Sequence, residues 1–271
     1  MTTATTTGIE RTAAHAAART APAPIPFTRL LRVELIKMFN TRAGFWLMAS
    51  IAASALIATV CVIAFAPDSA LNYDNFGAAI GIPMTLLLPV MAILSVTSEW
   101  SQRSGLTTFT LVPHRGRVIW AKMLVSMALG AVSIAVALAI GALGNLVGTA
   151  IAGVDPVWDI PASQMGYLVL ANVLNLLIGF MLGVLIRNSP GAIVGFVVYG
   201  FVLPTLSMLL ANFQHWWERA QPWLDFNYAQ GQLYDGGLTG NDWAQLGVSG
   251  LIWLVIPLTV GLAMVMRSEV K

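Results

Sequence analysis

The chain has 271 residues, of which 57% are hydrophobic and only 10% charged, with a formal net charge of +2. That balance excludes a soluble globule of this size, because the polar residues are too few to cover the apolar mass. The solvent it is built for is lipid.

Residues 1–26 are rich in Thr, Ala and Pro and carry no apolar run. They read as a disordered cytoplasmic tail and not as a secretory signal. The pattern changes at Phe27. At 100° per residue, Phe27, Leu31, Leu35, Met38 and Phe39 share one side of a helix, with Arg29, Arg32, Lys37 and Asn40 toward the other. This predicts an amphipathic helix over 27–42 that lies in the membrane interface, its basic face toward anionic headgroups or a protein partner.

Six apolar runs follow, at 44–66, 76–97, 118–151, 165–186, 192–211 and 246–266. A hydrocarbon core of roughly 30 Å needs about 20 residues of helix, and an open strand leaves its backbone unsatisfied in lipid. The expected fold class is therefore all-α, with six transmembrane helices over 43–271. The third run is overlong: as a helix its 34 residues extend roughly 50 Å. It either tilts or begins outside the membrane. Cys61, the single cysteine, falls inside the first run and implies neither a disulfide nor a metal site.

Orientation follows from the basic residues. Of the 14 Lys and Arg, all but Arg219 fall on one face of the six-span plan, whereas Asp68, Asp74, Asp155, Asp159, Glu218, Asp225, Asp235 and Asp242 lie on the other. Both termini are expected to be cytoplasmic, and the chain is expected in the plasma (inner) membrane. The outer segment 212–243 holds His215, Trp216, Trp217, Trp223, Phe226, Tyr228 and Tyr234. It is expected to lie in, or dip back into, the outer interface.

No central portion of a span contains Asp, Glu, Lys, Arg or His, and His15, His114 and His215 are scattered over tail and loops. Ion-coupled transport and intramembrane hydrolysis need such groups, so no catalytic residue and no metal site is assigned. Asn145, Asn172 and Asn175 are polar groups inside the spans that must find partners; they serve either interhelical hydrogen bonds or a substrate path. Glycines four apart, Gly77/Gly81, Gly144/Gly148, Gly179/Gly183 and Gly191/Gly195, let helices approach closely. No phosphate-binding loop occurs and no Gly is followed by Lys, so any energy from ATP must come from another polypeptide.

The segment between the second and third runs combines Glu99 at the end of a span with Arg103, Arg115, Arg117 and Lys122, and Pro113 interrupts it. This arrangement resembles the first cytoplasmic loop of permease subunits of exporter-type (ABC type-2) ATP-binding-cassette transporters. There a Glu ends the second span, a short coupling helix follows, and a Pro-x-Arg or Pro-x-x-Arg turn leads to a Lys at the base of the third. The resemblance implies coupling to an ATPase through Glu99, Arg103, Pro113, Arg115, Arg117 and Lys122. It also implies an elbow helix bearing Arg29, Arg32 and Lys37. The implied partners are cytoplasmic ABC ATPase subunits, which hold the ATP and Mg, and a second permease subunit, in a homo- or heterodimer within membrane lipid; no cofactor on this chain and no nucleic acid is implied. The implied activity is outward movement of an amphiphilic, drug-like, lipid or peptide substrate. The alternative from another class is a non-transporting membrane anchor or scaffold that recruits a cytoplasmic partner.

Overall fold

A computed structural model describes residues 25–101 and 115–267. Residues 1–24 of the tail expected over 1–26, and Arg103 and Pro113 of the basic loop, lie outside the described residues.

Helix α1 (Phe27–Asn40) starts after extended Pro26 and contains neither Gly nor Pro. It stops at Thr41, whose backbone is extended (φ −82°, ψ 141°) and which serves two helices at once. The Thr41 N–H donates to the Lys37 carbonyl, and its Oγ1 accepts the Gly44 N–H at 3.1 Å to cap α2 (Arg42–Phe65). The elbow is tight: a Cβ at Gly44 would run into the Met38 carbonyl.

Helix α3 (Tyr73–Ser101) carries Pro83 and Pro89 in its interior, and α4 (Arg115–Ala152) runs unbroken for 38 residues. Helix α5 (Ala162–Ile186) ends at Arg187, held in the left-handed conformation (φ 56°). Asn188 then caps the next span through a hydrogen bond from Gly191 N. That span is α6 (Ser189–Val197) and α7 (Leu203–Phe213), joined by a π-helical turn at Val198–Val202. Two short helices follow, α8 (His215–Leu224) and α9 (Phe226–Asp235). The last span is α10 (Gly240–Gly250), a second π-helical turn at Leu251–Val255, and α11 (Ile256–Arg267).

Among the described residues six helical stretches are long and apolar enough to cross a membrane: Gly44–Phe65, Tyr73–Ser98, Gly116–Ala152, Ala162–Ile186, Ser189–Phe213 and Gly240–Arg267. Several begin before the apolar runs do, and in the fifth and sixth a polar cap, Asn188 and Thr239, opens a turn that hydropathy does not register. The sixth starts at Gly240 and not near 246, since Thr239 and Asp242 form a reciprocal capping box.

The bundle is built around α3 and α5. Helix α3 packs on α5, α2 and α4, while α5 also receives α4, α9 and α11. In lipid, helices associate by close packing and not by hydrophobic expulsion, and the small residues sit where this demands. A Cβ at Gly179 would lie 2.6 Å from the Pro89 carbonyl oxygen, and one at Gly183 3.3 Å from the Ile93 backbone. One at Gly144 would press on Thr59 and Phe76. These pairs pack within one chain; Gly81 by contrast faces open space.

At the end of the bundle away from α1, the 153–161 connection is pinned to the start of α3. The Val157 carbonyl accepts both Tyr73 N–H (3.1 Å) and Asn145 Nδ2 (2.9 Å), and Asp159 accepts Asp74 N–H at 2.8 Å.

Candidate functional site

Of the residues singled out for coupling, the described ones, Glu99, Arg115, Arg117 and Lys122, lie at the end of the bundle that carries α1, the start of α4, the end of α3 and the α5–α6 turn. Thr97 near the end of α3 and Ser189 at the start of α6 join these last two through their hydroxyls at 2.7 Å. Glu99 and Arg115 are placed by their backbones in the last turn of α3 and at the first residue of α4; their side chains lie outside the described residues.

Helix α1 lies against α4 and α2. Its buried stripe is Leu30, Glu34 and Met38, spaced by four so that they stand one above another on a single face. Leu30 packs on Val118 and Ala121 of α4, with Ile25, Phe27 and Leu31 at the edges. Within this apolar contact sits a charged pair. Lys122 Nζ lies 2.5 Å from Glu34 Oε2, and both side chains are nearly fully buried. The other oxygen, Oε1, takes Lys37 Nζ at 2.8 Å, whose chain reaches outward and is 40% exposed. One turn earlier on α4, Arg117 Nη2 donates to the Ile25 carbonyl at 3.0 Å, holding the chain where it enters α1.

The foot of α4 therefore grips α1 at two places. A charge removed from water carries a desolvation penalty that only a close partner offsets, so Glu34 and Lys122 hold each other in register. The helical wheel does not single out the face that packs on α4. The face turned to α4 centres on Glu34, while Leu35 and Phe39 of the apolar side are left uncovered by the chain together with Val33 and Ile36. Arg29 and Arg32 are exposed as expected. Sequence reasoning passed over Glu34; the signal available was an acid with apolar residues at i−4 and i+4, the one acid in a basic helix.

The three asparagines are dispersed through the bundle. Asn175 Nδ2 donates to the Thr85 carbonyl at 2.7 Å. Thr85 lies four residues before Pro89, so this carbonyl is the one whose helical donor proline removes, and Asn175 supplies the substitute from α5. Asn145 holds Val157, and Asn172 donates to its own helix at Leu168; both leave a buried Oδ1 without a partner.

At the opposite end the aromatic segment folds as α8 and α9, and α9 packs back into the bundle. Phe226, Ala229 and Leu233 are buried, and Gln230 donates to the Ala171 carbonyl at 2.8 Å. Both π-helical turns face this pair. Asn227 donates to the Tyr199 carbonyl at 3.2 Å, Trp253 Nε1 donates to the Leu224 carbonyl at 2.7 Å, and the Tyr199 and Trp253 rings lie 5.8 Å apart. Beside α9 an apolar groove of about 360 Å³ opens between Leu170 and Leu174 of α5 and Trp243, Leu246, Gly250 and Leu254 of the last span. Among the described residues no three His, Cys, Asp or Glu side chains converge where a metal ion would sit.

These features define a class: an all-helical, multi-pass membrane protein with six apolar spans and a separate amphipathic helix fastened to the start of the third. No protein-family model matches the chain, and no curated protein matches it in sequence.

Proposed function

We propose that this chain is the permease subunit of an ATP-binding-cassette exporter, with both termini cytoplasmic and the basic end turned toward an ATPase partner. The observation that carries the reading is the continuity at that end. Helix α4 has 38 residues, about 57 Å of helix against a hydrocarbon core of roughly 30 Å. Its foot is fastened to α1 and follows directly on the segment that bears Arg103 and Pro113. Force applied there by a cytoplasmic partner reaches the bundle through a rigid helix.

In this mechanism the chain's work is mechanical. ATP and Mg are held by the partner, and closure of the ATPase pair pushes on the 99–122 segment and on α1. Helix α1 suits the interface, since its exposed face mixes Arg29 and Arg32 with Val33, Ile36 and Phe39. A second permease subunit completes the translocation path. The apolar groove beside α9 favours substrates with an alkyl or aromatic portion over a polar peptide.

The test is reconstitution with the partner ATPase in lipid vesicles. Glu99→Ala and Arg115→Ala are expected to insert normally and to abolish transport, because truncating a desolvated charge at a protein interface costs about 2–5 kcal/mol. A solvated pair would be worth about 0.5 kcal/mol. Normal transport by both variants would reject the coupling role and favour the scaffold, which recruits a partner and moves nothing.

A further inference from the structure

Helix α1 is joined to α2 by a single residue, yet its deepest contact is with α4. We propose that Glu34 is the positioning residue that locks α1 to the foot of α4, so that the two helices move as one arm when the basic end is driven. The role in transport rests on the permease reading; the locking itself does not.

The argument is geometric. Glu34 is the one acid of α1, and it is 6% exposed, between Leu30 and Met38 on the face turned to α4. Its two oxygens are divided between the two helices, Oε2 to Lys122 of α4 and Oε1 to Lys37 of α1 itself. Sliding α1 by one turn along α4, or swinging it outward, would part Glu34 from Lys122 inside an apolar contact formed by Leu30, Val118 and Ala121. A buried ion pair in that space resists separation far more than an apolar contact would, which can slip at constant buried area. The second tie, Arg117 to the Ile25 carbonyl, lies at the other end of the contact. Two ties, one near the N-terminus of α1 and one past its middle, fix direction as well as position. A tie at one point would leave a pivot.

The experiment uses the full chain in lipid nanodiscs, with Cys61 replaced by Ser and spin labels on cysteines introduced at Leu35 and Trp120, both exposed. The distance distribution between them is expected to be narrow in the parent and clearly broadened by Glu34→Ala. Glu34→Gln, which keeps the shape, guards against loss of folding and is expected to broaden it less. An unchanged distribution in a folded variant overturns the locking, whether or not an ATPase partner exists. In the reconstituted complex the parent distance is expected to stay constant between nucleotide-free and ATP-bound states. The amount of ATP hydrolysed per substrate moved should rise at least about tenfold in Glu34→Ala, while the KM for ATP stays put. A parent distance that changes with nucleotide, or a broadened variant that couples normally, overturns the shared arm. Absence of any ATP-driven transport by the parent complex, with the nanodisc result intact, overturns the permease reading instead.

Discussion

A single side chain can repair a backbone defect two helices share. Pro89 leaves the Thr85 carbonyl of α3 without its helical donor, and Asn175 reaches across from α5 to supply one at 2.7 Å. This gives Asn175 a structural account beside the substrate-path one, and the two are separable by a double-mutant cycle. Asn175→Ala is expected to destabilise the folded chain by about 1 kcal/mol in mixed micelles, the range for interhelical hydrogen bonds in membranes. In a Pro89→Ala background the backbone N–H restored by the substitution can serve Thr85, so removing the Asn175 amide there should cost close to nothing. Equal costs in both backgrounds, measured by chemical unfolding, would mean that the amide's role is not to serve this carbonyl. Neither partner of this pair could be matched from sequence. Pro89 announces an orphaned carbonyl, but only packing names the helix that answers it.

At the scale of elements, the spans were legible because length and hydropathy leave few alternatives in lipid, and the existence of α1 was legible from its mixed composition. Its orientation was not. A wheel assumes one wet side and one dry side, whereas α1 packs on protein along Leu30, Glu34 and Met38 and also presents Leu35 and Phe39 outward. With apolar residues required on both sides, the moment of the helix does not say which face turns inward, and the deciding partner, Lys122, is 88 residues away. The two π-helical turns left no trace in hydropathy either, since they change hydrogen-bond register and not composition. The close contact at the elbow, at Gly44, is likewise visible only in the packing. A Cβ there would collide with the Met38 carbonyl, so Gly44→Ala is expected to destabilise by about 1–3 kcal/mol, as overpacking does. Gly81→Ala, in open space within a helix, should be neutral or stabilising by up to about 1 kcal/mol. Thermal unfolding of the two variants side by side checks this; an unaffected Gly44→Ala protein would mean that the elbow is looser than its geometry.

For the molecule as a whole, burial is uneven, and this bears on how it sits and what surrounds it. Half of the most apolar window in Ala162–Ile186 is buried within the chain, against 11% in Ser189–Phe213 and 17% in Gly44–Phe65. The first and fifth spans are therefore peripheral, free to meet lipid or a second subunit, while α3 and α5 form the fixed centre. The end that carries α1 is expected to face the cytoplasm, because Lys and Arg near span ends retain a loop on that side and 13 of the 14 fall on one side of the six-span plan. Cysteines placed at Ser104 and at Gly237, in a chain with Cys61 replaced by Ser, test the assignment in sealed vesicles of known sidedness. Ser104→Cys is expected to react with an impermeant thiol reagent only from the cytoplasmic side, and Gly237→Cys, in the turn between α9 and α10, only from outside. Reversal at both sites would invert the protein and put α1 and the foot of α4 out of reach of any cytoplasmic ATPase. Labelling of both from the same side would instead break the alternation of six spans, because 104 and 237 are separated by an odd number of crossings in this fold.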